Sequence, residues 1–300
     1  MPLPTPARAR LAVTKVAWGV RQVGPTRVVA GLLRLLVVTL RRPRTVVTRT
    51  RRTGLRIAFR HPEQLIPTLV VFGDLLEPEL ALLERHLGPG RTAVDVGASI
   101  GTWTMTAART GAVVHACEPD AAGLEVLHEN VLANGLQDRV VTHRLAVGEH
   151  AGRATLRASS RRYLNGIREL EDGLEDGLED GTPHPSGTGT DTDELPLTTL
   201  EAFLRAEGLA EVDVLKVNTA GHEAQVLAGA LPVLRAGRVG LAMLLDGTAL
   251  REALRAAQLP GYDVCVYDGA RDALVPVDLS PGASVERPSP MNHYLVLARR

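Results

Sequence analysis

The stretch that most limits how this chain can fold covers residues 93–120 and reads AVDVGASIGTWTMTAARTGAVVHACEPD. An apolar strand leads into a loop of small residues, a helix follows, and a second apolar strand ends at Glu118. In a parallel sheet, this order brings the loop and the acid to the same edge. The stretch therefore predicts a site for a nucleotide-like ligand.

The chain continues with the same alternation of strand and helix. Apolar runs predict strands near residues 92–97, 112–118, 139–147, 212–218 and 239–246, and helices fit residues 101–110, 121–134, 198–207, 222–235 and 248–257. Such an order predicts a mostly parallel sheet with helices on both faces. The runs YDVCVYDG and NHYLVLAR have no helix between them and predict one antiparallel strand at the sheet edge. An earlier helix is predicted within residues 74–90, with an apolar side formed by Leu75, Leu76, Leu80, Leu83 and Leu87.

The spacing of small residues in the first loop limits the choice of ligand. A dinucleotide loop has glycines at relative positions 1, 3 and 6, where they seat a pyrophosphate on a helix N-terminus. The corresponding residues here are Gly97, Ser99 and Thr102, and the second glycine is Gly101. A nucleoside-triphosphate loop is excluded because no lysine follows. The spacing therefore fits a dinucleotide loop badly.

The pattern acid-x-Gly-x-x-x-Gly is similar to the loop of class I S-adenosylmethionine-dependent methyltransferases, and CEPD is similar to their second motif. The resemblance implies one acid near the ammonium group of the cofactor and another on its ribose hydroxyls. Asp95 and Glu118 occupy these two positions. The residues expected to contact S-adenosylmethionine are Asp95, Gly97, Ala98, Ser99, Gly101 and Glu118.

Further motifs narrow the resemblance. LEPE, DVGASIG, CEPD, HENVLANGL, LAVG, TTLEAFL and VDVLKVNTAGHEAQVLAGA, in this order, resemble the FkbM family of methyltransferases over roughly residues 70–300. The resemblance implies a Rossmann-like α/β fold with a mostly parallel seven-stranded sheet and an antiparallel C-terminal strand. It also implies S-adenosylmethionine as cofactor and O-methylation of a small polar acceptor such as a sugar or natural product.

One motif departs from the family pattern. The family's fourth strand ends in Lys-Ile-Asp-x-Glu-Gly-x-Glu, whereas this chain reads KVNTAGHE. Asn218 replaces the Asp and Ala220 replaces the first Glu. The carboxyl end of this strand borders the ligand crevice in such folds. Asn218 can hydrogen-bond but cannot accept a proton at neutral pH, and Ala220 can do neither.

Methylation of a hydroxyl benefits from a general base, typically by ~10²–10⁴-fold. His222 titrates in a suitable range, Glu223 keeps the last carboxylate of the motif, and Asp246 ends the fifth strand. We predict His222, Asn218 and Glu223 as catalytic residues, with His222 as the first choice. The alternative is that His222, Glu223 and Asp246 only complete the first turns of helices. Lys216 is expected to pair with an acid.

Two classes of function remain open. The first is an S-adenosylmethionine-dependent O-methyltransferase acting on a small molecule. The second is a catalytically degenerate relative that binds the cofactor, or nothing, and serves as a partner or scaffold protein, as Asn218 and Ala220 suggest. An NAD-dependent oxidoreductase is disfavoured by the glycine spacing.

The charge is divided unevenly along the chain. Residues 1–60 contain 13 Arg and one Lys and no acid, whereas residues 61–300 carry a net charge of −14. We predict an Arg-rich helical extension over residues 1–60 and a methyltransferase domain over residues 61–300. The extension either packs on its own domain or contacts anionic lipid or an acidic partner. An acidic insert at about residues 168–194, with LEDG three times in tandem, is expected to be disordered.

Several classes are disfavoured by composition. Aromatic residues make up 3 %, which argues against a nucleic-acid stacking surface. The apolar run at residues 28–40 is too short to span a bilayer, and neither a transmembrane helix nor a signal peptide is predicted. The histidine spacing predicts no metal site. Cys117 and Cys265 lie in strand-like runs and are expected to be buried, reduced thiols of a cytoplasmic protein.

Overall fold

The computed structural model describes residues 6–62, 64, 66–73, 77–157, 166–170 and 194–300. Most of the predicted acidic insert, residues 171–193, lies outside the described residues, as do Leu75 and Leu76 of the predicted early helix.

The N-terminal region contains two helices and a hairpin. Helices α1 (Pro6–Val23) and α2 (Pro25–Arg41) confirm the helical prediction for this part. The same prediction is wrong for residues 45–60, where β1 (Thr45–Arg49) and β2 (Arg56–Arg60) pair in antiparallel fashion. Their side chains alternate between buried and exposed, which is the period of a strand rather than of a helix.

Short helices lead from the hairpin to the main sheet. Helix α3 (Pro67–Phe72) is followed by a 3₁₀ turn, Pro78–Leu80, and by α4 (Ala81–His86). The helix predicted within residues 74–90 is therefore shorter than its apolar pattern. Leu83 and Leu87 are buried, as predicted for its apolar side.

The main sheet and its helices follow in alternation: β3 (Thr92–Val96), α5 (Thr102–Ala108), β4 (Val113–Cys117), α6 (Ala121–Ala133) and β5 (Val140–His143). A second set of strands comes next: β6 (Ala146–Val147), β7 (Gly152–Arg157), β8 (Gly166–Leu170) and β9 (Glu194–Thr198). The predicted strand at residues 139–147 is thus split, because β5 joins the main sheet whereas β6 pairs with β9.

The C-terminal part completes the main sheet. Its elements are α7 (Leu200–Ala206), β10 (Val212–Val217), α8 (Glu223–Arg235), β11 (Val239–Leu245), α9 (Thr248–Ala257), β12 (Tyr262–Asp268), β13 (Ala273–Pro276) and β14 (Tyr294–Arg299).

The main sheet has eight strands in the order β13-β12-β14-β11-β10-β3-β4-β5. Strands β5, β4, β3, β10 and β11 are parallel, and β14 is antiparallel to its neighbours β11 and β12. The mostly parallel α/β fold is therefore confirmed. Two details differ: the antiparallel strand lies between two others rather than at the edge, and β13 adds an eighth strand by forming a hairpin with β12.

Two apolar cores cover the two faces of the sheet. Alternate residues of the central strands enter different cores, for example Ala93 and Val94 of β3. The N-terminal hairpin contributes Val46, Ile57 and Phe59 to one of these cores. The hairpin is therefore part of the packed body of the protein.

Two asparagines, one in α6 and one at its C-terminal cap, attach the hairpin. Asn130 is buried, accepts a hydrogen bond from the Ala58 amide at 2.7 Å and donates to the Ala58 carbonyl at 3.0 Å. Asn134 makes the same pair of contacts with Arg56, at 2.8 and 2.7 Å. Each carboxamide thus satisfies one backbone donor and one acceptor of β2.

In the described residues, every helix is too short or too polar to cross a bilayer.

Candidate active site

A cavity of about 520 Å³ opens at the carboxyl ends of the central parallel strands. The loops after β3, β4 and β10 line it, and α3 and the segment before β14 complete its wall. This is the edge of the sheet at which folds of this class bind ligands, and the volume suits a small organic molecule.

The loop after β3 needs its glycines for packing. Gly97 has φ +78°, and a Cβ there would lie 2.0 Å from the carbonyl oxygen of Asn218. Gly101 has φ +85°, and a Cβ there would lie 2.9 Å from Leu127 Cγ of α6. A side chain at either position would therefore clash with the protein itself. The protein itself uses that space, while Gly97, Ala98 and Ser99 still line the cavity.

Asp95 lies beneath this loop. It is fully buried, its Oδ1 lies 2.8 Å from Lys216 Nζ, and its Oδ2 accepts a hydrogen bond from the Thr104 hydroxyl at 2.6 Å. Lys216 also donates to the Gly97 carbonyl at 2.7 Å. The structure thus places Asp95 outside the cavity lining, where it fixes the loop through Lys216 instead of facing a ligand. Lys216 pairs with an acid, as predicted.

Glu118 faces the cavity from the end of β4. Its carboxylate accepts hydrogen bonds from the backbone amides of Ser99 at 2.6 Å and Asp120 at 2.8 Å. Burial outweighs these contacts and raises the pKa of Glu118 to about 7. The structure therefore brings together the loop after β3 and the acid after β4, as the first sequence motif predicts.

The loop after β10 forms another wall of the cavity. Asn218, Thr219 and Ala220 line it, and the Asn218 side-chain amide lies 3.4 Å from the Tyr294 hydroxyl. Ala220 has φ +57°, a left-handed conformation that is strained for a residue with a Cβ. The position at which the family pattern has its first Glu therefore lies in the cavity wall.

Two predicted catalytic residues lie elsewhere. Glu223 is buried outside the cavity lining, where its carboxylate accepts hydrogen bonds from the amides of Thr219 at 2.8 Å and Gly221 at 3.0 Å. His222 is buried at the N-terminus of α8, also outside the lining. Glu223 thus stabilises the loop after β10, and neither residue is part of the cavity lining, so a catalytic role for either stays a prediction.

Asp246, the third suggested carboxylate, is also engaged elsewhere. Its two oxygens accept hydrogen bonds from Arg251, at 2.7 and 2.6 Å, and Arg287 contacts it as well. These cations hold the pKa of the carboxyl below its ordinary value against the opposing effect of burial. Asp246 thus forms an ion-pair cluster outside the cavity lining.

The cavity contains residues that the sequence did not single out. Glu77, His293 and Tyr294 line it. Glu79 positions His293 and Tyr294, because its Oε1 accepts hydrogen bonds from their backbone amides at 2.8 Å and 3.3 Å, respectively. The available signals were the LEPE motif, which contains Glu77 and Glu79, and the polar residues directly before the last strand.

Two residues of the lining also carry a polar atom that is closed off from solvent. Trp103 Nε1 and Thr219 Oγ1 are buried and have no hydrogen-bond partner among the described residues. Buried polar atoms of this kind are costly unless a ligand or water satisfies them. A nucleoside with hydroxyl and amino groups fits a lining that presents the Glu118 carboxylate.

The sequence pattern of the Methyltransferase FkbM domain matches residues 95–248, just over half of the chain. The chain belongs to the FkbM methyltransferase family. This confirms the family that the motifs predict, and the matched span contains the loop after β3, Glu118 and the loop after β10.

One FkbM methyltransferase and several other methyltransferases are among the similar proteins. Two curated relatives are ribosomal protein L11 methyltransferases. The protein from Nitratiruptor sp. is 37 % identical over a match that covers 20 % of this chain and 21 % of that protein. The protein from Chloroflexus aurantiacus is 38 % identical over a match that covers 28 % of this chain and 27 % of that protein. The chain thus spans about a fifth to a quarter of these relatives. The crystal structure of methyltransferase FkbM from Methylobacillus flagellatus is 14 % identical, with a TM-score of 0.40, and the match covers 77 % of this chain and 52 % of that one.

A cluster of possible metal ligands lies outside the cavity lining. His115, His143 and Glu207 offer ligand atoms within 4.8 Å of one another, although the histidine spacing predicts no metal site. His115 Nδ1 lies 3.2 Å from His143 Nε2, and Phe203 packs edge-on against both rings. Burial lowers the pKa of both histidines, which favours neutral rings that can share this hydrogen bond.

Proposed function

We propose that this FkbM family member is an S-adenosylmethionine-dependent methyltransferase that methylates a hydroxyl group of a small polar metabolite, sugar or natural product. The observation that carries the proposal is the Glu118 carboxylate, which is held by two backbone amides beside the loop after β3 and faces the cavity. A carboxylate in this position can accept hydrogen bonds from both hydroxyls of a ribose.

Bound S-adenosylmethionine would supply an electrophilic methyl group on a sulfonium. Glu118 would bind the ribose through its carboxylate. Ala98 and Ser99 would contact the cofactor from the loop, whereas Asp95 would act indirectly by fixing that loop through Lys216. The binding surface is thereby preorganised.

The acceptor would lie against the wall formed by Asn218, Glu77, His293 and Tyr294. Positioning of the acceptor hydroxyl supplies much of the rate enhancement in a displacement of this kind. Asn218 and Tyr294 can orient the hydroxyl by hydrogen bonding, while Glu77 and His293 can accept its proton. We assign the role of general base to Glu77 or His293, in place of His222 and Glu223.

The second candidate is a degenerate family member that binds the cofactor without transferring its methyl group. Asn218 and Ala220 favour it, because both stand in the cavity wall where the family pattern has carboxylates. Both candidates are compatible with a cytoplasmic location, which we propose because Cys117 and Cys265 are buried and unpaired thiols.

Calorimetric titration with S-adenosylhomocysteine tests cofactor binding, with NADH as the competing ligand. We expect micromolar binding of the first and none of the second. Glu118→Ala should weaken binding roughly 10- to 100-fold, because a charge-assisted hydrogen-bond partner is lost. Glu125→Ala, which changes an exposed glutamate of α6, serves as the matched control and should leave binding unchanged. Failure of the wild-type chain to bind S-adenosylhomocysteine would rule out the proposed methyltransferase activity.

Methyl transfer then separates the two candidates. A panel of hydroxylated metabolites is incubated with labelled cofactor, and Asn218→Asp is compared with the wild type. The proposed enzyme should turn over, and the added carboxylate should preserve or raise its rate. Cofactor binding without turnover by either protein would favour the degenerate member.

A further inference from the structure

Helix α2 carries an apolar stripe that the rest of the described protein leaves uncovered. The stripe consists of Val29, Leu32, Leu33, Leu36, Val37 and Leu40, which are between 43 % and 72 % exposed. Their spacing of three and four residues places them on one side of the helix. A contiguous row of this kind is unusual on a monomer surface and indicates an interaction site.

The other side of α2 packs on the protein and thereby sets the direction in which the stripe points. Val28, Gly31 and Val38 are buried. A Cβ at Gly31 would lie 1.9 Å from the carbonyl oxygen of Val71 in α3, so the two backbones are in close contact. This face already packs on the protein, and the stripe therefore points away from it. Thr68 of the same α3 lines the cavity, so one short helix contacts both the cavity and α2.

Cations border the stripe. Arg27, Arg34 and Arg41 are exposed and recur every seven residues, which places them along one flank of the helix. Arg34 donates a hydrogen bond to the Val47 carbonyl of β1 at 2.8 Å and so ties this flank to the hairpin. Residues 1–60 contain no acid at all, so the segment that carries the stripe is basic.

We propose that the apolar stripe and its arginine flank bind the protein to anionic membrane surfaces, with α2 lying in the plane of the interface. Leucine and valine side chains would enter the acyl boundary while the arginines contact anionic headgroups, the combination that drives interfacial helices onto membranes. The 17-residue helix is too short to span the bilayer.

Charge favours an anionic membrane over a second copy of the chain as the partner that covers the stripe. Packing two stripes against each other would bring the arginine flanks of both copies together, and the resulting repulsion has no acid within residues 1–60 to relieve it. An anionic bilayer satisfies the apolar stripe and the cations at once. The acidic segment of residues 171–193 is a competing occupant that the test must address.

The test is co-sedimentation of the full chain with vesicles of phosphatidylcholine alone or with 30 % phosphatidylglycerol. We expect binding to the anionic vesicles that weakens with salt, and little binding to the neutral ones. Leu33→Ser/Leu40→Ser should reduce binding at least tenfold, whereas Leu132→Ser, on the exposed side of α6, should leave it within twofold. Arg27→Gln/Arg41→Gln should reduce it roughly 10- to 30-fold, and Arg109→Gln/Arg205→Gln serves as its control.

Three results would overturn the proposal. The first is a wild-type chain that stays in the supernatant with anionic vesicles, or a Leu33/Leu40 variant with undiminished binding. The second is a dimer in sedimentation velocity that dissociates in the same variant while no vesicle binding occurs, which would identify a second copy as the occupant. The third is vesicle binding that appears only after deletion of residues 171–193, which would identify that segment. Circular dichroism verifies that each variant folds, and no readout depends on methyl transfer.

Discussion

Glu118 combines a proposed role in cofactor binding with a raised pKa. Its carboxyl accepts two backbone hydrogen bonds, yet burial raises its pKa to about 7. A carboxyl group whose pKa is raised on folding is protonated below that pKa and ionised above it. The same shift stabilises the folded state most below the ordinary pKa of 4.5, and this contribution is lost as the pH rises through about 7.

We therefore predict a pH dependence of cofactor binding. Ionised Glu118 offers both oxygens to the ribose hydroxyls, whereas the protonated form loses part of its acceptor capacity. The affinity for S-adenosylhomocysteine should rise between pH 6 and pH 8, with a midpoint near 7, when measured by calorimetry. Glu118→Gln should bind more weakly and show a flat profile over this range. An equal slope in wild type and variant would assign the titration to another group.

At the scale of elements, α6 connects the hairpin to the cavity loop. Asn130 holds the backbone of Ala58 in β2 and also donates to the Ile100 carbonyl at 2.9 Å, in the loop after β3. One buried side chain thus satisfies backbone groups of two separate elements.

We predict that Asn130→Ala destabilises the protein by about 3 kcal/mol, because buried backbone donors and acceptors lose their partners. The contacts of Asn134 are more exposed, so Asn134→Ala should lower the free energy of unfolding by less. Denaturant unfolding measures both free energies, and hydrogen exchange should show faster exchange of the Ala58 amide in the Asn130 variant. Equal costs for the two substitutions would show that burial at Asn130 is not the decisive factor.

Regular elements were predictable where one period of hydrophobicity dominates. The positions of β3, β4, β10 and β11 follow the sequence closely because these strands are buried on both faces and form continuous apolar runs. The hairpin was missed because its arginines resemble those of the preceding helices, although Val46, Ile57 and Phe59 have strand spacing. The split between β5 and β6 leaves no local signal, since it depends on pairing with the distant β9.

The residues of the candidate site were likewise predictable only in part from the sequence. Glu118 and the loop after β3 are adjacent in sequence, so their meeting follows from one βαβ unit. Glu77, His293 and Tyr294 reach the cavity only through the sheet topology and the contact between Glu79 and the segment before β14. A motif fixes the order of residues and not the direction of their side chains, so the position of His222 and Glu223 outside the cavity lining was not predictable from it.

At the scale of the whole molecule, the N-terminal region consists of two parts that differ in how they are packed. Helix α1 contributes to a small satellite cluster around Val28, Val71 and Phe72. The hairpin contributes Ile57 and Phe59, which are fully buried, to the core beneath the main sheet. The boundary between residues 60 and 61 stays a prediction, and these contacts give it a sharp test.

We predict that a chain lacking residues 1–23 retains its fold, whereas a chain lacking residues 1–60 loses much of its stability. The second truncation removes Val46, Ile57 and Phe59 from the core, and single truncations of buried Ile or Phe side chains already cost about 2–5 kcal/mol each. Asn130 and Asn134 would also lose their backbone partners. Thermal unfolding should show a drop on the order of 10 °C or more for the longer truncation and a much smaller one for the shorter. Equal midpoints for the full chain and residues 61–300 would mean that the hairpin is dispensable and that the methyltransferase domain begins at residue 61.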